Sequence, residues 1–150
     1  MAVDLDDIDW VLIRELQRDG RVTFTELARR ARLSASATTE RVRRLESEGV
    51  LVGYRAQIDI AAVGIPLQAV VRLKYFGNHH QPFFDHLEAS SHVLECLRIT
   101  GEDCYIIRLV ATSMPQLQQF VDDLARFGDT TTSIVYTETL PRRGPTAPLA

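Results

Sequence analysis

Apolar residues recur at Leu5, Ile8, Leu12 and Leu16, the three-to-four spacing that gathers side chains on one helical face. Asp4, Asp6 and Asp7 suit the positive end of that helix dipole, and Asp19-Gly20 ends the run. Thr23 to Gly49 then reads as two helices joined by a tight turn. Thr23 and Glu26 have the spacing of a capping box, and Leu27, Ala28 and Ala31 make one small apolar face. Arg32-Leu33 forms the turn, and Ser34 is a good N-cap for the next helix. Val42 and Leu45 point that helix inward, and Gly49 suits its C′ position. Val50 to Ile60 reads as a wing or strand leaving this head, with a bend at Gly53, and residues 61–66 as a linker.

The period changes at Leu67. Leu67, Ala69, Val71, Leu73 and Tyr75 alternate with Gln68, Val70, Arg72 and Lys74, a strand signature broken at Gly77-Asn78. Phe83, Phe84 and Leu87 return to helical spacing within Pro82 to Ser91. Val93 to Thr100 and Cys104 to Thr112 read as strands around a turn at Gly101-Glu102-Asp103. Ser113 and Gln116 have capping-box spacing before a helix that buries Leu117, Phe120, Val121, Leu124 and Phe127. Gly128 stops it, and Thr130 to Leu140 is a fourth strand. The order βαββαβ is the ferredoxin-like unit. The fold class is therefore α+β: a winged helix-turn-helix over residues 1–60, a ferredoxin-like domain over 67–140, and a flexible Pro-rich tail over 141–150 that crosses to a neighbour. Both helices of such a unit lie on one face of the sheet. Val70, Leu94, Ile106 and Val135 would make the other face apolar enough for a subunit interface.

Charge sharpens the picture. The 150-residue chain has a formal net charge of −3, which looks wrong for a partner of nucleic acid. Yet Arg14 to Arg55 holds ten arginines against six acids, +4, while the remainder holds seven bases against fourteen acids, −7. Phosphate attraction is screened over about 8–10 Å, so the local excess decides. A 45% hydrophobic share is ample for packed cores. No apolar run approaches the roughly 20 residues of a membrane span, and the acidic N-terminus is unlike a secretory signal; a cytoplasmic protein without a membrane partner is expected.

The second helix of the pair carries the chemistry. Its polar face offers Ser36, Thr38, Thr39, Arg41, Arg43 and Arg44, with Ser34 and Thr23 as caps. Hydroxyls at the front of a helix and cations behind suit base edges and phosphates of double-stranded DNA respectively. The histidines (His79, His80, His86, His92) lack metal-ligand spacing, and Cys96 and Cys104 read as ordinary buried residues. No phosphate loop, nucleophile elbow or carboxylate pair across a substrate site appears, so neither an enzyme nor a cofactor is expected. A protein-interaction module is the other alternative; seven arginines from Arg21 to Arg44 argue against it.

LDDIDWVLIRELQRDGRVTFTELARRARLS, ERVRRLESEGVLVGY, ITGEDCY and TTTSIVYTE together resemble the leucine-responsive regulatory protein/AsnC (Lrp/AsnC) family of prokaryotic transcription regulators, from residue 5 to about 138. The resemblance implies a winged helix-turn-helix joined to an effector and assembly domain, homodimers associating further into octamers, and a small-molecule effector, commonly an amino acid. It also places the effector at Thr100, Gly101, Glu102, Asp103, Cys104 and Tyr105, with Thr130 and Thr132 beside them. The recognition stretch SASATTER departs from the family's commoner proline and cysteine near Ala37 and Thr38, and Cys104 stands where an aspartate is frequent. Operator sequence and effector identity therefore do not transfer.

Overall fold

The computed structural model describes residues 3–102 and 104–147, which divide into two units: one up to Gln57 that also takes in the segment after Leu140, and one over Ile58–Thr139. In the first unit, α1 (Asp7–Arg18), α2 (Phe24–Ala31) and α3 (Ala35–Ser47) enclose Leu12, Ile13, Leu27, Val42 and Leu45, all buried. Each such side chain contributes about 1.5–3 kcal/mol on leaving water, enough for a small independent core. The caps explain the helix starts. Asp6 accepts from Asp9 N at 2.8 Å while Asp9 accepts from Asp6 N at 3.2 Å, a reciprocal box that begins α1 later than Asp4. At α2 only half of the expected box forms: Thr23 Oγ1 accepts from Glu26 N at 3.2 Å, but the Glu26 carboxylate turns to Arg29 and Arg30. Arg32, with φ of 55°, closes α2 in the left-handed region and turns the chain into Ser34, the N-cap of α3.

The strand expected over Val50 to Ile60 does not form. The segment has no ladder partner among the described residues, and pairing is what makes an extended chain a strand. Tyr54 packs back on the head instead, its hydroxyl donating to Glu46 Oε1 at 3.0 Å. Gln17 Nε2 donates to Pro145 O at 2.7 Å, so the start of the Pro-rich tail lies with this unit.

The second unit has β1 (Leu67–Tyr75), α4 (Gln81–Glu88), β2 (Val93–Arg98), β3 (Tyr105–Ala111), α5 (Met114–Ala125) and β4 (Gly128–Ile134). The sheet order is β2-β3-β1-β4, all neighbours antiparallel, as the βαββαβ order requires. Ala69, Val71 and Leu73 of β1 and Tyr105, Ile107 and Leu109 of β3 bury one face against Phe83, Leu87, Leu117, Phe120 and Leu124. β4 begins two residues before expectation and ends well short of Leu140. Gly128 permits the early start, because a Cβ there would lie 2.0 Å from Lys74 O. The early end follows from β1: Ile134 pairs with Ala69, Val135 N donates to Gln68 O at 2.9 Å, and beyond Leu67 stands Pro66 with no N–H to offer.

The open face is less apolar than the sequence suggested. Val70 and Ile106 lie on it, but so do Arg72, Lys74 and Arg108. Leu94 does not: the register shifts between Val93 and Glu95, and Leu94 joins the groove beside α4.

Candidate nucleic-acid interface and effector turn

The inward face of α3 is Thr38, Val42 and Leu45, at positions i, i+4 and i+7. Thr38 therefore faces the core of the head rather than the outward side where the sequence placed it. It is fully buried, and its hydroxyl donates to Ser34 O at 3.0 Å. Arg41 and Arg44 are also engaged in ion pairs, although Arg44 stays exposed. Arg41 Nη1 donates to Asp6 Oδ2 at 2.8 Å and Asp9 Oδ1 at 2.9 Å, and Arg44 Nη2 donates to Asp9 Oδ2, with Glu48 Oε2 at 3.9 Å from its Nε. These two cations tie α3 to α1 through the carboxylates of Asp6 and Asp9. Donating to the carboxylates of Asp6 and Asp9 holds the Arg41 guanidinium above its ordinary range. For Asp6 the Asp9 backbone N–H, and then Arg41, hold the carboxyl below its own.

What remains outward is a strip of Ser36, Thr39, Glu40 and Arg43, which with Ala35 lines a shallow surface depression of about 500 Å³. Arg43 is exposed and makes no ion pair among the described residues. Ser36 Oγ lies 3.1 Å from Ser34 Oγ, and Thr39 Oγ1 donates to Ala35 O at 2.9 Å, leaving lone pairs free on both. Ser34 and Thr23 serve first as N-caps, accepting from Ala37 N and Glu26 N at 3.2 Å each. Glu40 is not among the residues expected from the sequence. Yet an acid can accept from the cytosine amino group, and its i+4 spacing from Ser36 puts it on the strip.

In the second unit, Ile99 N donates to Cys104 O at 2.9 Å and closes the β2–β3 turn, where Gly101 takes a φ of 113° that other residues rarely adopt. Thr100, Gly101 and Glu102 are exposed, Cys104 is half-buried, and Asp103 lies outside the described residues. Cys104 N donates to Leu73 O at 2.9 Å, anchoring the turn to the end of β1. Leu73 pairs with Tyr105 on one side and Thr130 on the other, so Thr130 flanks the same end of the sheet, two strand spacings or roughly 10 Å away. Thr132, opposite Val71, is one rung further in and exposed. Tyr105 does not present itself to solvent: it is 1% exposed, and its hydroxyl lies 3.0 Å from His80 Nδ1. It supports the turn from within an aromatic cluster with Tyr75, Phe83 and Phe84.

Beside the turn, a groove of about 510 Å³ runs between α4 and edge strand β2, floored by Phe84, Leu87, Val93 and Cys96 and rimmed by Glu88 and Arg98. The spacing of Phe84 and Leu87 hinted at helix packing only. The bulge in β2 turns Leu94 into the groove, and no sequence pattern announced that bulge. Burial pushes the Cys96 thiol up to about 11, making it an inert lining group. His86 and His92 have separate partners, Arg126 and Val110 O. Among the described residues no three ligand-type side chains are arranged to hold a metal, and no helix is long and apolar enough to cross a membrane.

Residues 5–46 match the family profile for an AsnC-type helix-turn-helix domain, and residues 68–145 that for an Lrp/AsnC ligand binding domain. The HTH-type transcriptional regulator LrpA of Mycobacterium tuberculosis is 43% identical over 122 residues, covering 78% of this chain and 79% of its own. The structure of Bacillus subtilis LrpC superposes with a TM-score of 0.88 at 29% identity, over 93% of this chain and all of that one. A feast or famine regulatory protein of M. tuberculosis complexed with L-methionine gives 0.87 at 36% identity, over 96% of this chain and all of that one.

Proposed function

This chain belongs to the Lrp/AsnC family of HTH-type transcriptional regulators, and we propose that it reads duplex DNA through the outward strip of α3 under the control of an amino acid bound at the β2–β3 turn. The observation that carries the DNA reading is the sorting of α3: Thr38, Arg41 and Arg44 are engaged within the head, while Ser36, Thr39, Glu40 and Arg43 face outward. In this arrangement Arg43 meets a phosphate, and Ser36, Thr39 and Glu40 meet base edges. Glu102 supplies an acceptor for an α-ammonium group, and Thr100 and Thr130 supply hydroxyls for the rest of the ligand. The relative with L-methionine bound makes that amino acid the first probe. The protein works in the cytoplasm as homodimers, paired through the open sheet face and associating further into octamers.

Anisotropy titrations on a duplex the protein selects from a random pool, at several salt concentrations, test the DNA reading. Arg43→Ala should weaken binding to every duplex and flatten the log–log salt slope by about 0.9. Ser36→Ala should lower preference for the selected duplex by about 1–3 kcal/mol if a base contact is lost. Thr38→Ala should change stability and leave preference alone. Equal behaviour of Ser36→Ala and Thr38→Ala would remove α3 as the recognition helix. For the effector, L-methionine should raise the melting temperature of wild type and not that of Glu102→Gln; stabilisation of both alike would move the site off the turn.

A further inference from the structure

We propose that Asp9 is a positioning residue for operator discrimination, holding the register of α3 against α1 and thereby deciding which side chains of α3 meet the bases. The proposal rests on the reading of α3 as the recognition helix and adds a device that sets its aim.

Asp9 sits in the first turn of α1 and is 1% exposed. A carboxylate at that depth needs donors on both oxygens to offset lost hydration. Both come chiefly from α3: Arg41 Nη1 on Oδ1 at 2.9 Å and Arg44 Nη2 on Oδ2, across separations of 32 and 35 residues. Asp6 takes a second bond from Arg41 Nη1 at 2.8 Å, so the clamp reaches from the N-cap of α1 into its first turn. Apolar contact through Val42 and Leu45 is non-directional and would tolerate a small roll of α3. Charge-assisted bonds from i and i+3 to one carboxylate would not, because one residue of helix rotation is about 100° and removes a partner.

The consequence falls on sequence reading rather than on gross affinity. Phosphate attraction survives a displacement of an ångström, whereas hydrogen bonds to base edges weaken steeply as they lengthen and bend. Holding Arg41 and Arg44 away from phosphates also limits the sequence-independent share of binding.

The test uses the full chain on the selected duplex and a scrambled one, each at several salt concentrations, and reads the ratio of the two affinities beside the salt slope. Arg44→Gln should lower that ratio about tenfold, the loss of one base contact, with an unchanged slope. Asp9→Asn should lower the ratio likewise, with a steeper slope as Arg41 and Arg44 are freed to meet phosphates, and Arg44→Lys, which keeps a cation over Asp9, should recover most of the ratio. A lower folded fraction scales both affinities together and cancels in the ratio, so a purely structural role predicts no change. If Asp9→Asn does not fold, Arg44→Gln decides. An unchanged ratio in Arg44→Gln, or a slope flattened as in Arg43→Ala, overturns the proposal. Wild-type binding that ignores salt and sequence overturns the DNA reading itself and the proposal with it, a pattern visible before any variant is made.

Discussion

Glu26 accepts from Arg29 Nε and Nη2 at 2.9 and 2.7 Å and from Arg30 Nε at 2.7 Å, and these donors hold its carboxyl down at about 2, against an ordinary 4.5. Arg30 also donates to Glu15 Oε2 at 2.7 Å and lowers that carboxyl, as the Asp9 backbone N–H and Arg41 lower Asp6. A carboxylate whose folded pKa is depressed stabilises the fold fully above its unfolded value, and that stability is lost as pH falls through the folded value. The head should therefore lose stability from about pH 4.5 down to about 2. The single tryptophan, Trp10, packs against the head core, so its fluorescence reports this unit. The melting temperature by that signal should fall through the window, and Glu26→Gln should shallow the fall; a flat wild-type profile would deny these pairs any role. None of these partners was assigned by spacing alone. Thr38 was legible, since it stands at i and i+4 with Val42, but its hydroxyl drew it to the wrong face. The fate of Arg41 and Arg44 was hidden, because their acid lies more than thirty residues away and only packing brings it near.

Elements were far more legible than contacts, and for a physical reason: hydrophobic period is local. The alternation from Leu67 to Tyr75 coincides with β1, and the three head helices follow their apolar spacing and caps. Where an element's limits depend on a distant partner, the sequence said less. β4 is the plainest case, since Gly128 was read as a helix stop and is also the point where β4 meets the backbone of β1. The segment after Val50 failed for the same reason, having strand composition but no strand to pair with among the described residues. Gly128→Ala should force β4 away from Lys74 O and cost the second unit about 1–3 kcal/mol. Urea unfolding followed by far-UV circular dichroism should show an early transition, while the Trp10 midpoint stays where wild type has it. A variant unfolding like wild type would mean the strand yields at no cost.

For the whole molecule the question is what the open face of the sheet does. Val70 and Ile106 are half-buried there and Leu97 is 48% exposed, amid the basic Arg72, Lys74 and Arg108 and the acidic Glu95 and Asp129. A face with apolar residues among both signs of charge can complement itself across a two-fold axis, which is what an isologous dimer requires. Pairing would also present two α3 helices to one duplex, and linked contacts gain affinity far beyond a factor of two. Ile106 pairs across the ladders with both Arg72 and Leu97, near the middle of this face. Ile106→Glu should be tolerated within the chain, because the new carboxylate lies beside Arg72. In a dimer it would be buried at the contact and should split it, since desolvating a charge costs several kcal/mol. Light scattering should then give the 16.9 kDa of a single chain for the variant and a multiple of it for wild type. Affinity for the selected duplex should fall by much more than twofold, with the amino-acid-induced shift in melting temperature reduced only if the effector site needs a neighbour. A variant that keeps the wild-type mass would place the assembly on another face, and a wild-type mass of one chain would end the dimer reading altogether.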